Sequence, residues 1–256
     1  MKRLIALLAF AGLSFGQSLT LGLYGREGYL TPTLEAGLQL EEFSLSARLQ
    51  RDAFGLGVGS ALELGPAGRL AYGLEGAVGF AGWLVVAFAK GGVGQVGLEA
   101  ALGYASTLRR SLWVAEDATS GLSAKLAAKY RLDSKNTLGL STAYSTAAFS
   151  GEASYALRQD STYTFGLGYR AGFYGLVGWK GEVDQEGTLL DVTLYAGQYN
   201  RLEAALFMEQ LKARLMLAYP WAGSVGIEMN PFRFDIGYDN AWYAWLRYSI
   251  DLGGNE

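Results

Sequence analysis

Charged residues in this chain keep to one parity of an alternating pattern. From Leu34 to Leu40 the apolar positions are Leu34, Ala36, Leu38 and Leu40, interleaved with Glu35, Gly37 and Gln39. From Leu122 to Leu132 the apolar set is Leu122, Ala124, Leu126, Ala128, Tyr130 and Leu132, interleaved with Ser123, Lys125, Ala127, Lys129 and Arg131. The same division runs through 70–80, 96–104, 163–169, 232–238 and 242–252, and in none of these segments does an acid or base occupy the apolar parity. Successive side chains of a β-strand point to opposite faces, so each segment predicts a strand with one uncharged face and one polar face.

The polar face is built of small residues, as in Gly55, Gly57, Gly59 and Ala61 or Thr164, Gly166 and Gly168. A soluble barrel fills its interior with the large apolar residues and turns its polar face to water. Gly, Ala, Ser and Thr with scattered charges make no tight core, so the Leu, Val, Phe and Tyr of the other face require an apolar medium outside the protein. A lipid bilayer supplies it.

Alternation predicts strands at 18–25, 32–41, 43–51, 53–64, 69–80, 83–90, 93–104, 121–132, 137–146, 147–157, 162–170, 173–183, 188–198, 201–209, 211–219, 223–229, 232–239 and 241–252. Their lengths suit tilted strands crossing a bilayer, which need about nine to eleven residues. The expected fold is therefore all-β, a transmembrane antiparallel up-and-down barrel of about 16–18 strands joined by short turns. Turn signals lie at Gly65-Pro-Ala-Gly68, Gly91-Gly92, Asp133 to Asn136, Ala171-Gly172 and Asp184 to Gly187. Only 105–120 is long. Either it folds inward as a constriction, or part of it is a further strand and the pore is open or filled from elsewhere; partial alternation at Leu108, Leu112 and Val114 favours the strand. Aromatic residues gather at strand ends on the apolar parity: Phe43, Phe54, Phe80 and Tyr104, then Tyr163, Tyr169, Phe232, Tyr238 and Trp242. Amphipathic rings prefer the headgroup level, so these residues form the expected girdle.

At the N-terminus, Lys2 and Arg3 precede the apolar run Leu4 to Leu13, and Ser14, Phe15 and Gly16 lead to Gln17. This is a secretory signal over 1–16, too short to span as a helix, followed by a single barrel domain over 17–256. The 36 glycines against 4 prolines suit strands that curve and close with tight turns. Together, signal, alternation and girdle resemble the Gram-negative outer-membrane β-barrel class over the whole mature chain. The alternation Tyr248, Ile250, Leu252 resembles the closing strand of that class, but Gly253-Gly-Asn-Glu256 follows where a terminal aromatic residue is common. The resemblance implies residence in the outer membrane and is to an architecture, with no named family.

The chain contains no histidine and no cysteine. Nucleophilic serine chemistry usually needs a histidine base, and zinc needs histidine or cysteine ligands, so the expectation is a protein that is not an enzyme and holds no metal or cofactor. A net charge of −3 with dispersed bases argues against nucleic acid. The chemistry then lies in the lumen. Projecting the polar parity inward gives Glu35, Glu63, Glu75 and Glu99 with Arg48 from early strands, and Lys125, Lys129, Arg131, Arg158 and Arg170 from middle ones; Arg233, Asp235 and Arg247 mix the signs later. An acidic wall facing a basic one is the expected arrangement. The leading reading is a porin-like passive diffusion channel for ions and small solutes, with the lipid bilayer as its surroundings. A structural barrel whose lumen or rim holds another envelope protein is the alternative, and a soluble secreted β-barrel binder a third.

Overall fold

The computed structural model describes residues 18–114, 116 and 119–252. The expected signal at 1–16 lies outside the described residues, as do Ala115, Asp117 and the segment 253–256. The strands are β1 Ser18–Arg26, β2 Tyr29–Gln39, β3 Phe43–Gln50, β4 Ala53–Glu63, β5 Gly68–Gly79, β6 Gly82–Val93, β7 Val96–Ala105, β8 Gly121–Arg131 and β9 Asn136–Ser145. The second half holds β10 Phe149–Arg158, β11 Thr162–Arg170, β12 Phe173–Glu182, β13 Leu189–Gly197, β14 Asn200–Phe207, β15 Lys212–Tyr219, β16 Ala222–Met229, β17 Phe232–Asp239 and β18 Trp242–Asp251. Every strand pairs antiparallel with its sequence neighbours, and β1 pairs with β18 from Ser18↔Asp251 to Arg26↔Tyr243. The ring is thereby closed with eighteen strands, the upper end of the expected range, and no edge is left unpaired.

A strand pair shares a face residue for residue, so register carries the two parities around the whole barrel. Large apolar side chains project from one face: Leu126 is 54% exposed, Leu167 73% and Val177 56%. Among the described residues Leu112 is the one large side chain that is fully buried. A soluble barrel would invert this distribution, and the reading as a secreted binder falls with it. The outward face is the one that needs lipid.

Two sequence expectations differ from the structure. The turn expected at Gly91-Gly92 lies inside β6, and the chain reverses at Gly94, whose φ is +59°. Gly91 is there because the β5 backbone comes close: a Cβ on it would collide with the carbonyl of Arg69. Beyond Ala105, which ends β7, the segment to 120 forms no strand among its described residues. It carries one short helix, α1, at Arg109–Leu112.

Turn chemistry is otherwise as read. Asp133 Oδ1 accepts the backbone N–H groups of Lys135 at 2.7 Å and Asn136 at 2.8 Å, and its Oδ2 accepts Asn136 Nδ2 at 2.7 Å. The Asn136 side chain, then these backbone donors, hold its carboxyl below the usual range. Asp184 is lowered likewise by the Thr188 side chain and by backbone N–H donors of the β12–β13 turn.

Candidate functional site

The connection between β7 and β8 identifies the inner face. Its Leu112 and Trp113, 1% and 5% exposed, pack in a cluster with Ala53, Ala77, Leu84 and Ala105 of β4 to β7. From the same connection Arg110 Nη1 reaches Asp239 Oδ2 at 3.0 Å, at the end of β17 and close to half a circuit away. A segment can touch both places only from inside the barrel, so the parity holding Gly55, Ala77, Leu84 and Asp239 faces the lumen.

Local chemistry seats this strap. Gln50 of β3 donates its amide N–H to the Leu112 carbonyl and accepts the Val114 N–H at 3.2 Å. Arg48 bridges Glu35 at 3.2 Å and Glu116 at 2.6 Å, and its guanidinium lies 4.7 Å from the Trp113 ring centre. Glycine at position 55 makes room, because a Cβ there would stand 2.6 Å from the Trp113 ring. Beneath the strap lies a polar cavity of about 400 Å³, lined by Glu35, Arg48, Glu75 and Arg109 among others. The expectation that this segment adds a strand is thus corrected: of the residues that mimicked alternation, Leu112 is an anchor for an inward fold, whereas Leu108 is 47% exposed.

Register places the remaining expected lumen residues on the same inner face. Glu63 faces Arg69 (2.9 Å), and Glu99 faces Lys90 across β6–β7 while bonding Lys125 of β8 at 2.6 Å. Arg233 and Arg247 converge on Asp235 at 3.0 and 3.1 Å, and Arg214 and Glu228 extend that network. Arg170 stands 5.2 Å from the Tyr199 ring centre. Lys129, Arg131 and Arg158 are exposed, and among the described residues no acid stands within ion-pair distance of them. The expected acidic wall does not form as a bare surface: Glu35, Glu63 and Glu99 are matched by bases on an adjacent strand. Of the early acids only Glu75 has no ion-pair partner among the described residues.

Three inner features escaped the sequence reading. Leu84, Val86 and Phe88 of β6 point inward, because 83–89 is apolar on both parities and gives no alternation to read. Tyr174, Tyr195 and Tyr199 gather with ring centres 5.6–6.1 Å apart, and Tyr174 donates to Glu152 at 3.0 Å. Tyr24 packs on Tyr243 and Trp245, and Arg247 lies 3.9 Å over the Trp245 ring.

The aromatic residues expected at the interfaces lie on the outer face, Phe80 one residue past β5 and 92% exposed. Phe54, Phe80, Tyr104, Tyr169, Tyr238 and Trp242 mark the rim that carries the strap, whereas Phe43, Tyr163 and Phe232 mark the opposite rim. Ring contacts tie neighbours together: Trp83–Tyr104 at 5.3 Å, Tyr238–Trp242 at 5.5 Å and Phe232–Tyr248 at 4.9 Å.

No protein-family model matches the chain, and no curated protein matches it in sequence. Among solved structures it is similar to a triple mutant of the Rhodopseudomonas blastica porin, at 12% identity over 92% of this chain and 99% of that one, with a TM-score of 0.50. It is also similar to Pseudomonas aeruginosa OpdK with vanillate, at 12% identity over 91% and 97% of the two chains (TM-score 0.44), and to the KdgM porin in complex with disordered oligogalacturonate, at 8% identity over 91% and 99% (TM-score 0.29). The likeness to the first is one of barrel fold.

Proposed function

We propose that this chain is an outer-membrane, porin-like channel that lets ions and small solutes diffuse passively. The observation that carries the reading is the division of the closed barrel into an apolar outer face and a polar, charged inner face. At a strand spacing of about 4.8 Å and a tilt of about 40°, a round eighteen-strand barrel is about 36 Å across between backbones, too wide for its mostly small inner residues to fill. Water then occupies the lumen. At one mouth the strap lies against β3 to β7 and reaches β17, while nearer the other mouth the wall of β7 to β10 carries small residues at Gly97, Gly139 and Ser154. Outer-membrane barrels carry their longer loops on the outer side, which assigns the strapped rim to the exterior.

Liposome swelling with sugars of graded size tests the reading. Vesicles containing the purified barrel should swell in small sugars and progressively less in larger ones. Vesicles that stay osmotically tight, with barrel formation verified, would contradict it.

A further inference from the structure

The lumen is not electrically even-handed. Its acids are mostly spent on neighbouring bases: Glu63 on Arg69, Glu99 on Lys125, Asp191 on Lys180, Asp235 on three arginines. On β8 and β10 the balance is positive: their one inward acid, Glu152, accepts a hydrogen bond from Tyr174 and has no ion-pair partner among the described residues. Lys129, Arg131 and Arg158 face inward, are exposed, and among the described residues have no acid within ion-pair distance. Lys90 on β6 joins them, because the Glu99 opposite it is bonded to Lys125.

The ground around these bases is low. Lys129 is paired across its two neighbouring strands with Gly97 and Gly139, Arg131 with Thr137, and Arg158 with Thr162. Each ammonium or guanidinium thus stands clear over small residues, free to meet water and solute. Other parts of the inner surface carry larger groups: the strap against β3 to β7, Tyr174 over Gly168 of β11 with its tyrosine cluster, and the arginine–carboxylate network on β15 to β18. The small-residue wall and this positive charge coincide at the mouth opposite the strap, where Arg131 ends β8 and Arg158 ends β10.

Charges on a low-dielectric wall around a narrow aqueous path concentrate ions of opposite sign. We propose that permeating anions follow this wall and that Lys129, Arg131 and Arg158 make the channel prefer small anions, including carboxylate- and phosphate-bearing solutes, over cations. The proposal rests on the channel reading above and specifies its solute class.

The test is the reversal potential of the purified barrel in a planar bilayer under a potassium chloride gradient. The parent should favour chloride. In the variant Lys129→Gln/Arg131→Gln/Arg158→Gln, each kT of wall potential removed lowers local chloride and raises local potassium e-fold, so the chloride-to-potassium permeability ratio should fall about sevenfold per kT. The matching triple Glu variant should invert the preference. Both effects should fade towards 1 M salt, where the Debye length is about 3 Å. Conducting variants with the parent's ratio at low salt would overturn the anion route and leave the channel intact. A correctly inserted parent barrel that passes no current would overturn the channel reading and the route with it.

Discussion

The seat of the strap can be emptied without touching a strand. Leu112 and Trp113 are 1% and 5% exposed and supply its large apolar contacts. Truncating a buried Leu to Ala costs about 2–5 kcal/mol and a buried Trp about 3–5 kcal/mol. The two are neighbours, so their effects do not simply add, and a combined loss of about 5 kcal/mol is the reasonable expectation. At 1.4 kcal/mol per decade, Leu112→Ala/Trp113→Ala should raise the undocked population of the strap by about a thousandfold or more. Removing the Arg110–Asp239 link is a weaker perturbation, since both side chains are more than a third exposed, and Arg110→Ala should cost about 1 kcal/mol at most. Because the chain has no cysteine, Ala77→Cys, in the wall beneath the strap, gives a unique thiol. Its reaction with a membrane-impermeant maleimide should be slow with the strap intact, only a few-fold faster with Arg110→Ala, and at least a hundredfold faster in the double variant, by the same arithmetic. Equal labelling in all three backgrounds would show that the apolar anchors do not hold the strap, and a large effect of Arg110→Ala alone would show that charge does.

Other outcomes follow from the same geometry. Gly55→Val should unseat Trp113 by collision, and it should reproduce the labelling increase at Ala77→Cys with the anchors themselves unchanged. Leu126→Arg, on the lipid face near the middle of β8, should cost about 2–4 kcal/mol in folding into lipid vesicles, whereas Ala127→Arg on the inner face should cost much less; the reverse order would invert the assignment of faces. In the β8–β9 turn, Asp133 titrates below its ordinary value, so the stability it contributes is present above the unfolded carboxyl pKa of about 3.9 and is lost as pH falls through the lower folded value. Carbon-13 NMR of the Asp133 carboxyl checks this, and a midpoint at or above the unfolded value would contradict it.

Much of the fold was legible in the sequence because a barrel in lipid writes its geometry as a two-residue alternation. In β8, Lys125, Lys129 and Arg131 against Leu122, Leu126 and Tyr130 leave one choice of face, and register carries that choice to every neighbour. Where the alternation is silent the reading failed. Segment 83–89 is apolar throughout and hid the inward Leu84, Val86 and Phe88. Gly91-Gly92 looked like a turn, but those glycines serve the close approach of β5, and the reversal comes at Gly94. The strap was misread for a related reason. Leu112 and Trp113 are apolar because they dock on the inner wall, and spacing alone does not separate a residue turned to lipid from one folded back into the lumen. The pairing of Glu35 with Arg48, or of Glu99 with Lys125, was likewise hidden, since it depends on strand register and not on parity.

Single-channel recording of the purified barrel in a planar bilayer tests the central claim most directly. A water-filled eighteen-strand barrel narrowed at one mouth by a docked strap should give discrete, ohmic conductance steps that scale with bulk salt, and the steps should grow when 106–119 is replaced by a four-residue Gly/Asn turn. Inserted protein that gives no steps, before or after that replacement, would contradict the account.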